Sequence, residues 1–181
     1  MSDESADLLA RAAVARRERR PDDARHDLVK AVALCRREGS KRELIRALKG
    51  LGQIERDFGR VENAQPLYEE AVALCRQEDD PLALAHTVRH LGDIHQDLAR
   101  PDLAEPCYVE ALAIYRSHDG TSTLDLANAV RPSAILKQDA GEVDEARSLW
   151  EEAKGLYAAA GVQEGIDECS EAIKRLRSDC I

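Results

Sequence analysis

Apolar side chains recur at helical spacing through residues 64–76, AQPLYEEAVALCR, and again through 104–116, AEPCYVEALAIYR. Both stretches read as helices, yet each carries a proline at its third residue, Pro66 and Pro106. Aligned on those prolines, the chain repeats itself. LGQIERDFGRVENAQPLYEEAVALCR begins at Leu51, LGDIHQDLARPDLAEPCYVEALAIYR at Leu91, and SAILKQDAGEVDEARSLWEEAKGLYA at Ser133. A weaker first copy ends in DDARHDLVKAVALCR, where Ala24, Ala31, Leu34 and Cys35 match Ala64, Ala71, Leu74 and Cys75. Self-similarity at this period is the mark of a helical solenoid.

Each copy divides into two helices. In the second, the spacing predicts a helix over roughly 41–57 that ends near Gly59, where a positive φ is cheap. Its partner helix is predicted from about Glu62 to about Gln77, and Asp80-Pro81 marks the next boundary. A proline within a first turn removes a donor that has no intrahelical acceptor anyway. The two proline-bearing helices are therefore expected to begin at 62–63 and 102–103. The tail QEGIDECSEAIKRLRSDCI places Ile166, Cys169, Ala172 (or Ile173) and Leu176 on one face and charges on the other, as a final capping helix would.

These residues resemble the tetratricopeptide repeat, in the longer 40–42-residue form typified by kinesin light chain. The family's Leu-Gly pair matches Leu51-Gly52 and Leu91-Gly92. Its turn glycine matches Gly59 and Gly141, with Ala99 in the third copy. Its first small residue of the second helix matches Ala24, Ala64, Ala104 and Ala146, its aromatic Tyr68, Tyr108 and Trp150, and its second alanine Ala31, Ala71, Ala111 and Ala153. The departures are Glu55, His95 and Lys137, which replace an aromatic of the first helix, and Ser133-Ala134 in place of Leu-Gly; they weaken the fourth repeat. The resemblance implies an all-α, right-handed superhelical solenoid of about four repeats (4–38, 41–78, 81–118 and 123–160) plus a capping helix at 163–178, all one domain over 1–181.

Composition agrees and narrows the function. The chain has 181 residues, 44% hydrophobic and only 3% aromatic, a balance that favours an all-helical domain. Its formal charge of −9 argues against a nucleic-acid partner, because phosphate binding needs a basic face. The cluster Arg16, Arg17, Arg19 and Arg20 is read as a solvated helix end. No apolar run reaches the ~18 residues that span a bilayer, and the acidic, then arginine-rich start MSDESADLLARAAVARRERR is not a secretory leader. Cys35, Cys75, Cys107, Cys169 and Cys180 lack CxxC spacing and read as reduced core residues of a cytoplasmic protein.

In the family, the first helix of each repeat lines a concave groove. The resemblance carries that role to Arg46, Lys49 and Gln53 in the second repeat, to His86, Arg89, His90 and Asp93 in the third, and to Asn128 and Arg131 in the fourth. Lys49, Arg89 and Arg131 then share one groove position, and Asp57, Asp97 and Asp139 another. A column of cations can grip acidic groups or the C-terminal carboxylate of a peptide; alternatively it pairs with the aspartate column and stabilises the stack. The carboxylate clamp of chaperone-binding members is mostly missing, since Gln53, His90, Asn128 and Pro132 stand where it needs other residues. His86, His90 and Asp93 lie on one helical face at a spacing able to hold a transition metal, but Thr87 follows His86 where a metalloprotease needs glutamate. The expectation is a scaffold without catalysis, cofactor or metal that holds a partner's peptide or helix in the groove. The alternatives are a self-associating homo-oligomeric unit, or a regulatory or sensory module acting on a partner enzyme or transcription factor.

Overall fold

The computed structural model describes residues 3–178; Cys180 lies outside them. Every element among the described residues is an α-helix: α1 (Asp3–Arg17), α2 (Pro21–Glu38), α3 (Lys41–Asp57), α4 (Val61–Cys75), α5 (Pro81–Asp97), α6 (Pro101–Ser117), α7 (Thr123–Asp139), α8 (Val143–Ala160) and α9 (Gln163–Ser178). The helices group into two compact units, one up to Asp80 and one from Pro81. The first contains α1–α4 and the second α5–α9, so the chain is an all-α helical repeat.

The second and third repeats are each closed by an aromatic ring laid on the glycine of their own first helix. A Cβ on Gly52 would come within 2.6 Å of the Tyr68 ring, and one on Gly92 within 2.6 Å of the Tyr108 ring. Both rings are buried. Glycine is required here because the two helices approach too closely for a methyl group. Gly155 of α8 is the opposite case: it is exposed, and a Cβ there meets nothing within 4 Å. Gly155→Ala is expected to raise the unfolding free energy by about 0.5–1 kcal/mol, the helix-propensity difference alone. Gly92→Ala should lower it in spite of the same propensity gain, and urea unfolding midpoints of the two variants separate the effects.

The turns within repeats use left-handed residues. Gly59 and Gly141 have φ of 71° and 77°, and the alanine at the matching place, Ala99, adopts 56°. The second helices start slightly earlier than the sequence suggests, at Val61 and Pro101 rather than 62–63 and 102–103. Pro66 and Pro106 are therefore the sixth residues of α4 and α6, past the orphan donors of the first turn. Each removes one genuine ladder bond, to the carbonyls of Glu62 and Asp102. α4 also ends at Cys75, before the expected Gln77.

Beneath these contacts lie the cores. In the first unit Ala12, Leu28, Ala31, Cys35, Leu48 and Ile54 are among the buried cluster; in the second it is built around Val130, Trp150, Ala153, Tyr157 and Cys169. Cys169, Ala172, Ile173 and Leu176 of α9 all join the second cluster, so α9 covers the apolar side left by α7 and α8. In α1–α2 the pair that is Leu51 and Leu67 in the next copy becomes Arg11 and Asp27, joined at 3.0 Å with Asp27 buried. Cys35, Cys75, Cys107 and Cys169 are free thiols, and burial pushes that of Cys169 up to about 11.

Candidate functional site

The predicted groove residues fall on the first helices α3, α5 and α7. Arg46 is exposed, whereas Lys49, Gln53, His86, Arg89, His90, Asp93, Asn128 and Arg131 are half-buried. Residues 42, 46, 49, 53 and 56 follow the i, i+4, i+7 rhythm, so Arg42, Arg46, Lys49, Gln53 and Arg56 share one face of α3. Arg42 is 82% exposed and reaches Glu78 only at 3.5 Å. Among the described residues Arg46 has no ion-pair partner. Gln53 donates to Asp57 at 2.7 Å.

In the second unit the corresponding side chains are engaged with one another. Arg89 donates to Asp93 at 3.2 Å and to His90 Nε2 at 2.8 Å. A guanidinium has no lone pair to offer, so His90 Nε2 must be the acceptor and its proton resides on Nδ1, 3.2 Å from Asp93 Oδ2. Tyr108 donates its hydroxyl proton to Asp93 at 3.1 Å, and Tyr115 is hydrogen-bonded to Arg89. Burial pushes the Tyr115 phenol up to about 12, against the pull of Arg89, so it stays protonated. Only 14% of the Arg89 side chain remains exposed.

Arg131 is held from outside its helix. It makes a two-pronged ion pair with Glu168 of α9, at 2.8 and 2.6 Å, and that pairing holds its guanidinium firmly charged. Asn128, one turn earlier, accepts the hydroxyl proton of Tyr157 at 2.9 Å. The pairing of the cation column with the Asp57, Asp97 and Asp139 column is thus replaced in this unit. Arg89 uses Asp93, one turn along its own helix, and Arg131 uses a carboxylate from the capping helix. The His86 and His90 rings lie 4.6 Å apart at 59°. Among the described residues no group of three or more His, Cys, Asp or Glu side chains is placed to hold a metal ion.

The helices and their glycine–aromatic closures match a known repeat. The tetratricopeptide-repeat model fits residues 4–77 and again 44–117, together well over half of the chain. The chain belongs to the tetratricopeptide-repeat family. Solved structures agree on the fold. Apo RapI superposes with a TM-score of 0.83 at 11% identity, over 92% of this chain and 60% of that one. The nearly identical TPR-like repeats of a Podosopora anserina protein assigned to kinesin light chain give 0.69 at 17% identity, over 99% of both chains. BtubC (BKLC) from P. vanneervenii gives 0.58 at 19% identity, over 98% of this chain and 91% of that one. No curated protein matches. Tetratricopeptide repeats are in general scaffolds for protein–protein interaction.

Sequence reasoning put these side chains on the first helices of their repeats, α3, α5 and α7, and missed Glu168, Tyr115 and Tyr157 as their partners. The periodicity of α9 put Glu168 on the charged face; nothing local to it points at Arg131, 37 residues away.

Proposed function

We propose that this tetratricopeptide protein is a non-catalytic scaffold that holds an acidic stretch of a partner protein against the inner face of α3. The observation that carries the reading is the contrast between helices. On α5 and α7 the inner-face arginines are committed to Asp93, His90, Tyr115 and Glu168. On α3, Arg46 is exposed among described neighbours of the same sign, Arg42 and Lys49. In a chain of net charge −9, that stripe concentrates positive potential where a peptide carboxylate gains most from it. No described helix is long and apolar enough to cross a membrane. Its buried free thiols suit a reducing compartment such as the cytoplasm.

The test is capture of partners on the immobilised protein followed by their identification. Arg42→Glu with Arg46→Glu should weaken capture by roughly tenfold, equivalent to about 1.4 kcal/mol, and leave the thermal transition in place because both side chains point to solvent. Partners held equally well by the double variant would move the interface off α3. Captured segments without clusters of Asp, Glu or a free carboxylate would remove the acidic-peptide reading.

A further inference from the structure

Two of the three places where this chain departs from the family aromatic, Glu55 and Lys137, are paired charges, and the pairing reverses between them. In the first unit, the buried carboxylate of Glu55 on α3 accepts from Arg25 of α2 and from Arg60, the residue before α4, each at 2.5 Å. In the second unit, Lys137 of α7 lies 3.2 Å from Glu105 of α6 and 3.2 Å from Glu142, the residue before α8. Arg25 and Glu105, Glu55 and Lys137, and Arg60 and Glu142 occupy the same three positions of their repeats, displaced by 80 or 82 residues. One junction therefore reads plus, minus, plus, and the other minus, plus, minus. At the matching places of the intervening copy the sequence has Gln65, His95 and Arg100, a set that equals neither.

A second family of ion pairs crosses the same two junctions without reversing. Arg36 of α2 pairs with Glu70 of α4, and Arg116 of α6 pairs with Glu152 of α8, arginine first in both cases. Those outer pairs fit any juxtaposition of one repeat on another. The inner triad does not: α2 laid on α7 would bring Arg25 to Lys137, and α6 laid on α3 would bring Glu105 to Glu55. Near-identical repeats are prone to docking on the wrong neighbour, within a chain or between chains. Charges arranged to repel the wrong partner are an established way to choose among apolar surfaces of similar shape.

We propose that Arg25–Glu55–Arg60 and Glu105–Lys137–Glu142 are complementary keys that fix which repeat stacks on which, and so exclude repeat-swapped assemblies of this chain. The packing supplies the affinity at each junction, and the keys supply its identity.

Two full-chain variants test this by making the keys alike. Glu105→Arg/Lys137→Glu/Glu142→Arg writes the first key at the second junction. Arg25→Glu/Glu55→Lys/Arg60→Glu writes the second key at the first. Each is unfolded in urea, refolded at high protein concentration beside the parent, and sized by chromatography with light scattering. Both triple variants should regain the parental circular-dichroism spectrum yet give a severalfold larger fraction of dimers and higher swapped species. Refolding to the same size distribution as the parent would overturn the proposal. So would a spectrum lost in both triple variants, since each then carries a complete key that the junction does not accept. As an internal check, Lys137→Glu alone, which sets a fourth glutamate beside Glu105, Glu142 and Glu145, should be less stable than the triple variant built on it; equal stability of the two would also overturn the keys.

Discussion

Tyr108→Ala is expected to lower the unfolding free energy by about 3–5 kcal/mol, seen as a shift of the urea midpoint without loss of slope. The ring is one of the largest fully buried side chains and forms a cluster with Ala104 and Leu136. It also fills the space that Gly92 leaves open, so truncation creates a cavity that helices held together at that glycine cannot close. The hydroxyl contributes separately through Asp93, at 3.1 Å, and Gln96, at 3.4 Å. Tyr108→Phe keeps the ring and should cost only about 1 kcal/mol. A similar loss in both variants would mean that the polar network around Asp93, and not the packing of the ring, holds α5 to α6.

The same closure shows what the sequence could and could not reveal. The Leu-Gly pairs and the aromatics sixteen residues later were visible as repeated letters, because a glycine that must receive a ring cannot vary freely. Trp150 keeps the position with a different polar tip: its Nε1 donates to Gln138 at 3.0 Å, where Tyr108 uses Gln96. Helix phases followed from periodicity for the same reason, since burial selects apolar residues turn by turn. The ion pairs of Arg89 and Arg131 were not legible. A charged side chain on a half-exposed face reaches partners in several directions, and local spacing ranks Asp97 and Asp139 no lower than Asp93 and Glu168. Reading the capping helix as a polar cover likewise hid the use of Glu168 as a ligand for Arg131. Glu55 and Lys137 looked like flaws when set against a family aromatic. Only the positions of Arg25, Arg60, Glu105 and Glu142 in space turn them into pairs.

Glu55→Gln should be the most damaging isosteric change in the first unit, lowering stability by about 2–3 kcal/mol. A carboxylate removed from a fully buried pair costs about 3–5 kcal/mol, and the figure is reduced here because Arg25 and Arg60 remain 44% and 40% exposed. The loss should depend on pH in a defined direction. Burial by itself pushes the Glu55 carboxyl up, but hydrogen bonds from Arg60 and Arg25 outweigh it and hold the carboxyl below its ordinary value of 4.5. A group depressed in the folded state stabilises the fold fully above its unfolded value, and that stabilisation disappears as the pH falls through the folded one. The gap in urea midpoint between the parent and Glu55→Gln should therefore be constant from neutral pH down to about 5 and shrink progressively below about 4. A gap that persists undiminished into acid would show that shape, and not charge, makes glutamate necessary at this position. A gap that closes while the parent alone loses stability assigns to Glu55 the part of the acid sensitivity that the glutamine variant lacks.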